Sequence, residues 1–141
     1  MTEKFKIITS YIKDMSSETP NVETFIFVQE NISKYQLNID ITSKALKNKM
    51  IEVNTTLKFE DKEPNEKKSY YEIVYSTIVR ISDEIRNDKN ELQKLILCDV
   101  PSAIYPSLEK AFLNLIHDSG HPDLKFDKKV DFEKLYSDRF N

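Results

Sequence analysis

Two histidines have the spacing of a metal-binding pair. His117 and His121 are four residues apart, which brings two imidazoles to one face of a helix if the helix continues between them. Gly120, the only glycine among the 141 residues, lies between them. It follows an apolar run of helical period, where a helix end favours a left-handed residue. We therefore expect the helix to end there. No metal site is predicted, because no second cysteine or carboxylate cluster completes a set of four ligands.

The chain also lacks a recognisable set of catalytic residues. Cys98, the only cysteine, has no neighbouring histidine in the sequence, and no serine lies in a nucleophile-elbow motif. A single glycine cannot build a phosphate loop or a dinucleotide-binding turn. We predict a protein without catalytic residues and without a cofactor, and an enzyme on an α+β scaffold is the disfavoured alternative. Cys98 is expected to be a small buried hydrophobic residue.

Composition predicts one globular domain over residues 1–141. Hydrophobic residues at 39% and charged residues at 32% are typical of a soluble protein rather than a disordered tail. No apolar run reaches the roughly 18 residues of a membrane span, and the N-terminus lacks the pattern of a secretory signal. With one cysteine no internal disulfide can form, which is consistent with the cytoplasm. The net charge of −3 argues against nucleic acid as a partner.

The elements that must position any site divide into two halves. Alternating apolar residues predict four strands between about residue 4 and residue 81, and the simplest arrangement is an antiparallel sheet. In the first run, one face is predicted to carry four residues, namely Phe5, Ile7, Thr9 and Tyr11, with Ile12 on the other face. The fourth run is apolar on both faces, since Val74 and Ile78 lie opposite Tyr71, and such a strand is usually covered on both sides.

Helical spacing predicts helices between about residue 88 and residue 140. Asp88 and Glu91 form a capping box for a short helix, and Pro101 is placed near the first turn of the next one. That helix carries an apolar stripe of six residues, namely Ile104, Leu108, Ala111, Phe112, Leu115 and Ile116. Asp131 is placed to cap a last short helix. Strands followed by helices predict an α+β fold, a four-stranded antiparallel sheet with helices packed on one face.

One apolar segment fits neither period. Phe25 to Val28 follow a Pro-Asn break and are interpreted as a loop. Such a loop either folds back onto the core or offers its two aromatic rings to an extended, unfolded polypeptide. The residues alone leave both possibilities open.

Three motifs resemble the SecB-type protein-export chaperones. The first runs from Tyr11 to Asn21, as Tyr-x-Lys-Asp-x-Ser-x-Glu-x-Pro-Asn, and the second from Val100 to Pro106, as Val-Pro-x-x-Ile-Tyr-Pro. The third runs from Gly120 to Tyr136, as Gly-x-Pro-x-Leu-x-Phe-x-x-x-Val-x-Phe-x-x-Leu-Tyr. Together they bracket nearly the whole chain. The chain departs from the family at Ser76 and Thr77, where a Gly-Gly pair is common, and it ends at Asn141 without the long tail of many members.

The resemblance implies a function without catalysis. A SecB-type protein is an ATP-independent holdase in the cytoplasm that keeps unfolded precursors competent for export and passes them to the SecA motor. A chaperone dedicated to one client, such as an antitoxin, is the alternative. The family also implies a homotetramer, a dimer of dimers. The apolar residues, Val74 and Ile78 among them, are consistent with oligomerisation, although they could instead fill the core of a monomer.

The resemblance also implies two binding surfaces. The client groove would be formed by Phe25, Phe27, Ile32, Tyr35, Leu37, Tyr136 and Phe140. The outer side of the sheet would receive the basic, zinc-binding tail of SecA on Asp14, Glu18, Tyr70 and Glu72. Without the resemblance, such acidic residues are interpreted as an ordinary solvated face. The zinc would belong to SecA.

Overall fold

A computed structural model describes residues 4–126 and 129–140 of the chain. The strands are β1 (Phe5–Glu18), β2 (Gln36–Ala45), β3 (Met50–Glu60) and β4 (Tyr70–Ile81). The helices are α1 (Val22–Asn31), α2 (Asp83–Arg86), α3 (Lys89–Lys94), α4 (Val100–Asp118) and α5 (Phe132–Phe140). A single 3-10 turn (Ile32–Lys34) follows α1, and a π-helical segment (Leu95–Asp99) joins α3 to α4. No helix within the described residues is long and apolar enough to span a membrane.

The strands form one antiparallel sheet with the order β1-β4-β3-β2. β2 and β3 pair from Gln36–Glu60 to Ala45–Ile51, and their connection turns through Asn48 and Lys49, both with φ of 62°. β1 pairs with β4 and forms one edge of the sheet, and β2 forms the opposite edge. The predicted α+β fold with a four-stranded antiparallel sheet is confirmed.

Two irregularities in β1 change which side chains share a face. The register shifts between Ile7 and Thr9 and again between Ile12 and Asp14. As a result Ile12 is paired with Tyr75, while Tyr11 is paired with Ser76 on the other face of the sheet. The prediction that Tyr11 shares a face with Phe5 and Ile7 is therefore wrong. An inserted residue moves all later side chains to the opposite face, because the side-chain period of a strand is two.

The helices cover one face of the sheet, and the core lies between them. Seven residues of α4 are buried. Four of these recur at spacings of four in the core, namely Ile104, Leu108, Phe112 and Ile116. They pack with the buried side chains of β3 and β4, which include Leu57 and Tyr71. Full burial of each such side chain stabilises the fold by about 1.5–3 kcal/mol. The predicted stripe is confirmed, with Ala111 and Leu115 along its half-buried margin.

The helical half is more continuous than the sequence predicts. α3, the π-helical segment and α4 follow one another without a break, so Pro101 lies inside a longer helical path. Within the π-helical segment, the N–H of Val100 donates to the carbonyl of Leu95, five residues back. This wider turn lies next to Pro101, which has no N–H to donate. The two predicted helices are present as α3 and α4, with Pro101 in the first turn of α4 as expected. The π-helical segment that joins them was not predicted.

Two of the predicted caps are present. The Asp88 carboxylate accepts from the N–H groups of Asn90 and Glu91 at 3.1 and 3.3 Å. The N–H of Asp88 bonds to the carbonyl of Ile85 instead of a reciprocal Glu91 side chain. Asp131 caps α5 by accepting from the N–H of Lys134 at 3.1 Å.

Candidate functional site: an apolar groove and the outer sheet face

The segment interpreted as a loop is a helix. α1 begins after Asn21, whose side-chain oxygen accepts from the N–H of Thr24 at 2.8 Å. Asn21 is a favourable N-cap and is the one signal of a helix start in the sequence. The next residues, from Phe25 to Val28, are aromatic or β-branched and have only moderate helix propensity. The helix was therefore not predicted from the sequence.

Phe25 lies on the turn that ends α4. Gly120 adopts φ of 107°, and its N–H and that of His121 bond to the carbonyls of His117 and Ile116. This is the pattern of a Schellman motif, so the predicted helix end at Gly120 is confirmed. A Cβ on Gly120 would overlap the ring of Phe25. The Phe25 ring also stacks on the His121 imidazole, with centroids 5.4 Å apart and planes 28° apart.

His121 is buried between α1 and β4. Its side chain is held by the Tyr71 hydroxyl, 3.0 Å from Nε2, and the Tyr71 ring stands edge-on to the imidazole. Desolvation by burial lowers the pKa of His121 below its usual value. The neutral imidazole is thus the stable form near neutral pH.

The two histidines have separate partners. Nε2 of His117 lies 2.8 Å from the carbonyl oxygen of Leu124 and donates to it, whereas His121 bonds to Tyr71. Among the residues that the structure describes, no cluster of three His, Cys, Asp or Glu side chains could hold a metal ion. Cys98 is buried as predicted, and burial raises the pKa of its thiol.

An apolar groove of about 200 Å³ lies between the edge strand β2 and α5. Eight residues line it, namely Ile39, Asp40, Ile41, Leu97, Phe132, Leu135, Tyr136 and Arg139. Of the residues predicted for the client groove, Tyr136 is in this lining. Leu37 lies on the same face of β2 as Ile39 and Ile41, because the side-chain period is two. The groove therefore runs beside strand β2, whose outer backbone edge is not covered by another strand of the sheet.

Several groove residues were not predicted from the sequence. Ile39 and Ile41 could have been found, because they alternate with Leu37 in the predicted strand. Leu97 could not, since it lies in the π-helical segment, where the ordinary helical period does not apply. Leu135 was predicted to lie in the last helix but was not assigned to the groove.

The other predicted groove residues are not part of this lining. Tyr35 is 7% exposed, and its hydroxyl accepts from the N–H of Ser69 at 3.1 Å. Burial raises the pKa of Tyr35. Ile32 is half-buried against the core, and Phe27 is half-buried on α1. The side chain of Phe140 lies outside the described part of the chain.

The four residues predicted for the acidic surface lie together. They are on the face of the sheet that carries no helices, here called the outer sheet face. β1 and β4 pair Glu18 with Tyr70 and Ser16 with Glu72, while Asp14 is the next position along that face. Glu72 is 3.9 Å from the ammonium of Lys58, so the patch is acidic but not free of positive charge.

Glu52 on the outer sheet face was not predicted. Its carboxylate accepts from Asn54, Ser76 and Lys13 at 3.1, 3.1 and 3.3 Å, and from the Tyr11 hydroxyl. The hydrogen bonds from Asn54 and Ser76, and then Lys13, lower the pKa of Glu52. In the sequence it is one of several polar residues that alternate along β3, and nothing distinguishes it from the others.

A family model described as "Preprotein translocase subunit SecB" matches residues 1–141. The chain belongs to the SecB family. The resemblance carried by the three motifs is thereby confirmed, and the family is one of protein-export chaperones.

Relatives in the SecB family cover nearly the whole chain. A protein named for SecB protein export, from Pelagibacter ubique (strain HTCC1062), is 57% identical over 141 residues, which is all of both chains. The protein-export protein SecB of Bradyrhizobium sp. (strain BTAi1) is 26% identical over 133 residues, which is 94% of this chain and 80% of the relative.

A solved SecB-like structure has the same fold. The SecB-like chaperone of Mycobacterium tuberculosis, in complex with an antitoxin peptide, superposes with a TM-score of 0.64. The match covers 90% of this chain and 91% of the other, at 10% sequence identity. At that identity the similarity concerns the fold alone.

Proposed function

We propose that the chain is an ATP-independent holdase of the cytoplasm, which binds unfolded precursors of exported proteins and delivers them to the SecA motor. The observation that carries the proposal is an apolar groove beside the edge strand β2 in a member of a protein-export family. The proposed activity involves no chemical step. Because the relatives are named for protein export, a chaperone dedicated to one client is not favoured.

The groove suits an extended polypeptide. Strand β2 offers backbone N–H and C=O groups along its outer edge, and such an edge can pair with an added strand. Apolar side chains on either side, such as Ile39 and Leu135, provide contact area that does not depend on a particular client sequence. We assign to this site the groove lining together with Leu37, Ile32 and Phe27. Repeated over several subunits, such weak contacts add up to useful avidity.

Replacement of Leu135 tests the groove. Leu135 is 48% exposed, so Leu135→Ser should leave the fold intact while it removes apolar contact area from the site. A loss of about 1 kcal/mol per site, roughly fivefold in affinity, is expected. The measurement is suppression of aggregation of a chemically denatured client, with Lys134→Ser on the same helix as the matched control. Full suppression by Leu135→Ser would exclude this groove as the client site.

We further propose that the acidic patch on the outer sheet face receives the basic tail of SecA. Asp14, Glu18, Glu72 and Tyr70 would contact it, and the carboxylates would mainly accelerate encounter with lysine and arginine side chains. The double variant Asp14→Lys and Glu72→Lys should weaken SecA binding, and binding by the wild type should fall as salt is raised. Glu84→Lys on α2 introduces the same kind of charge elsewhere and serves as control. Equal affinity of the double variant and the control would remove the assignment.

A homotetramer, a dimer of dimers, completes the proposal. β1 is an edge strand with exposed apolar side chains, among them Ile7, Ile12 and Met15. A second copy that pairs with β1 would cover them.

A further inference from the structure

The outer sheet face divides into two halves of opposite charge. Near the start of β1, the register pairs Lys6 with Arg80 on β4, and Lys44 on β2 with Glu52 on β3. The Glu52 carboxylate is already held by Lys13 at 3.3 Å, so this half is left with a surplus of positive charge. Toward the end of β1 the same face is acidic. It carries five carboxylates of the described strands, namely Asp14, Glu18, Asp40, Glu60 and Glu72, with Lys58 among them.

Four cations form what is here called the cationic end, namely Lys6, Lys44, Lys47 and Arg80. All four residues are exposed, and Lys47 lies in the connection between β2 and β3. None of them forms an ion pair with an acidic side chain in the described part of the chain. Lys49, which is close to them in sequence, is instead 3.0 Å from the Asp83 carboxylate. The cationic end therefore has no counter-ion among the described residues.

The pairing of Lys6 with Arg80 is unfavourable by itself. The two residues are directly opposite in neighbouring antiparallel strands, where Cβ atoms are about 5 Å apart and like charges repel. An anion bound between the two side chains would remove this repulsion. The arrangement therefore suits an anionic partner from outside the chain.

The cationic end is as wide as the sheet. Lys6 lies on one edge strand and Lys44 on the other, at least three strand spacings or about 14 Å apart. A second copy that pairs with β1 would reach Lys6 but not Lys44 or Lys47. A single extended polypeptide is also narrower than this patch. The partner that fits is itself a broad anionic surface.

An exposed leucine lies among these cations. Leu46 is 37% exposed and stands between Lys44 and Lys47 in the chain. Its N–H donates to the carbonyl of Met50 at 2.9 Å, which holds it at the start of the turn. An apolar side chain flanked by cations suits the boundary between the headgroups and the acyl chains of a bilayer. The phosphates of a nucleic acid offer no such apolar layer, so these residues favour a membrane.

We propose that the cationic end docks the protein on a membrane surface that carries anionic lipid headgroups, with Leu46 at the boundary of the acyl chains. The inference goes beyond the proposed function, because it concerns neither the client nor SecA. Each lysine or arginine near such a surface strengthens membrane binding about fivefold, so four of them give a weak and reversible contact. Asp14, the member of the acidic patch nearest to Lys6 along β1, is about 25 Å away, or about three screening lengths at physiological salt. The acidic patch therefore weakens the attraction little and stays clear of the membrane.

Sedimentation with two kinds of vesicle tests the assignment. One kind is phosphatidylcholine alone, and the other contains about one third phosphatidylglycerol. The wild type should sediment only with the second kind, and less so as salt is raised. Lys44→Gln with Lys47→Gln removes two exposed cations and should weaken binding roughly 25-fold. Lys62→Gln with Lys67→Gln makes the same change in net charge at the opposite end of the sheet, in the connection between β3 and β4, and should bind like the wild type.

Fluorescence gives a second measurement, which reports the position of the turn. The chain has no tryptophan, so the emission of Leu46→Trp comes from this turn alone. With anionic vesicles the emission should shift to shorter wavelength, because the indole leaves water. Val22→Trp, at an exposed position of α1 beyond the far end of β1, is the matched control and should show no shift.

Equal sedimentation of the wild type with both kinds of vesicle would overturn the proposal, as would an equal loss of binding in the two double variants. Unshifted emission of Leu46→Trp bound to vesicles would overturn it too. Duplex DNA at the same phosphate concentration should bind less tightly than the anionic vesicles do, and tighter binding would make nucleic acid the partner instead. Suppression of aggregation should be the same in the wild type and in both double variants, so failure of membrane docking is distinct from failure of the proposed function.

Discussion

Gly120 combines two roles that other residues fill poorly. Its φ of 107° allows the Schellman motif that ends α4, and side chains other than glycine are strained there. Its missing Cβ also makes room for the Phe25 ring. The first role is local and could be predicted from a lone glycine after an apolar helical run. The second role depends on Phe25, which is 95 positions away in the sequence, so no local pattern could indicate it.

The burial of His121 predicts a loss of stability in mild acid. Burial lowers its pKa in the folded chain, while the unfolded chain has the ordinary value of about 6.5. Below that pH the unfolded state binds a proton that the folded state excludes, so the free energy of unfolding falls as pH falls. The slope is at most about 1.4 kcal/mol per pH unit for this one group.

Urea unfolding of the wild type and His121→Phe between about pH 7 and pH 5 measures the effect of this titration. The variant keeps an aromatic face for Phe25 but has no group that titrates, so its stability should change less over this range. Glu52, Asp61 and Asp83 have lowered pKa values and contribute stability that is lost only at lower pH. The same slope in both proteins would show that His121 is not the group responsible.

At the scale of elements, α1 depends on its cap. Asn21 supplies the only side-chain hydrogen bond at its N-terminus among the described contacts. Asn21→Ala should cost about 1 kcal/mol of stability and accelerate exchange of the Thr24 amide. Asn21→Asp preserves the acceptor and should retain wild-type behaviour, while Gln29→Ala on the exposed side of the helix serves as a neutral control. Unchanged exchange at Thr24 in Asn21→Ala would mean that tertiary contacts alone hold α1.

The strands were more predictable than the connections between them. β3 alternates cleanly from Ile51 to Phe59, so its buried face could be assigned from the sequence alone. The pairing of β1 with β4 could not be predicted from the sequence, since strand order is set by contacts between residues far apart in the chain. The shifts near Thr9 and Asp14 arise from that pairing. The position of Leu97 in the groove could not be predicted either, because the π-helical segment next to Pro101 changes the direction of its side chain.

At the scale of the whole molecule, β1 is the strand that remains most exposed in a single copy of the chain. Its 14 residues form an edge. Exposed apolar side chains occur on both faces, with Ile12 on the side of the helices and Tyr11 on the outer sheet face. A long apolar edge invites pairing with another chain. In the proposed tetramer that partner is a second copy, and a twofold interface would bring two β1 strands together.

Light scattering should therefore give the wild type a mass of four chains, each of 16.6 kDa. Ile12→Lys places a charge on the β1 edge and should reduce the mass, because a buried unpaired lysine is costly in an interface. Thr42→Lys makes the same kind of change on the opposite edge strand β2 and should leave the mass unchanged. Aggregation suppression should fall with the mass, since avidity is lost. A wild type that scatters as one chain and still holds unfolded clients would show that the groove works without β1 pairing.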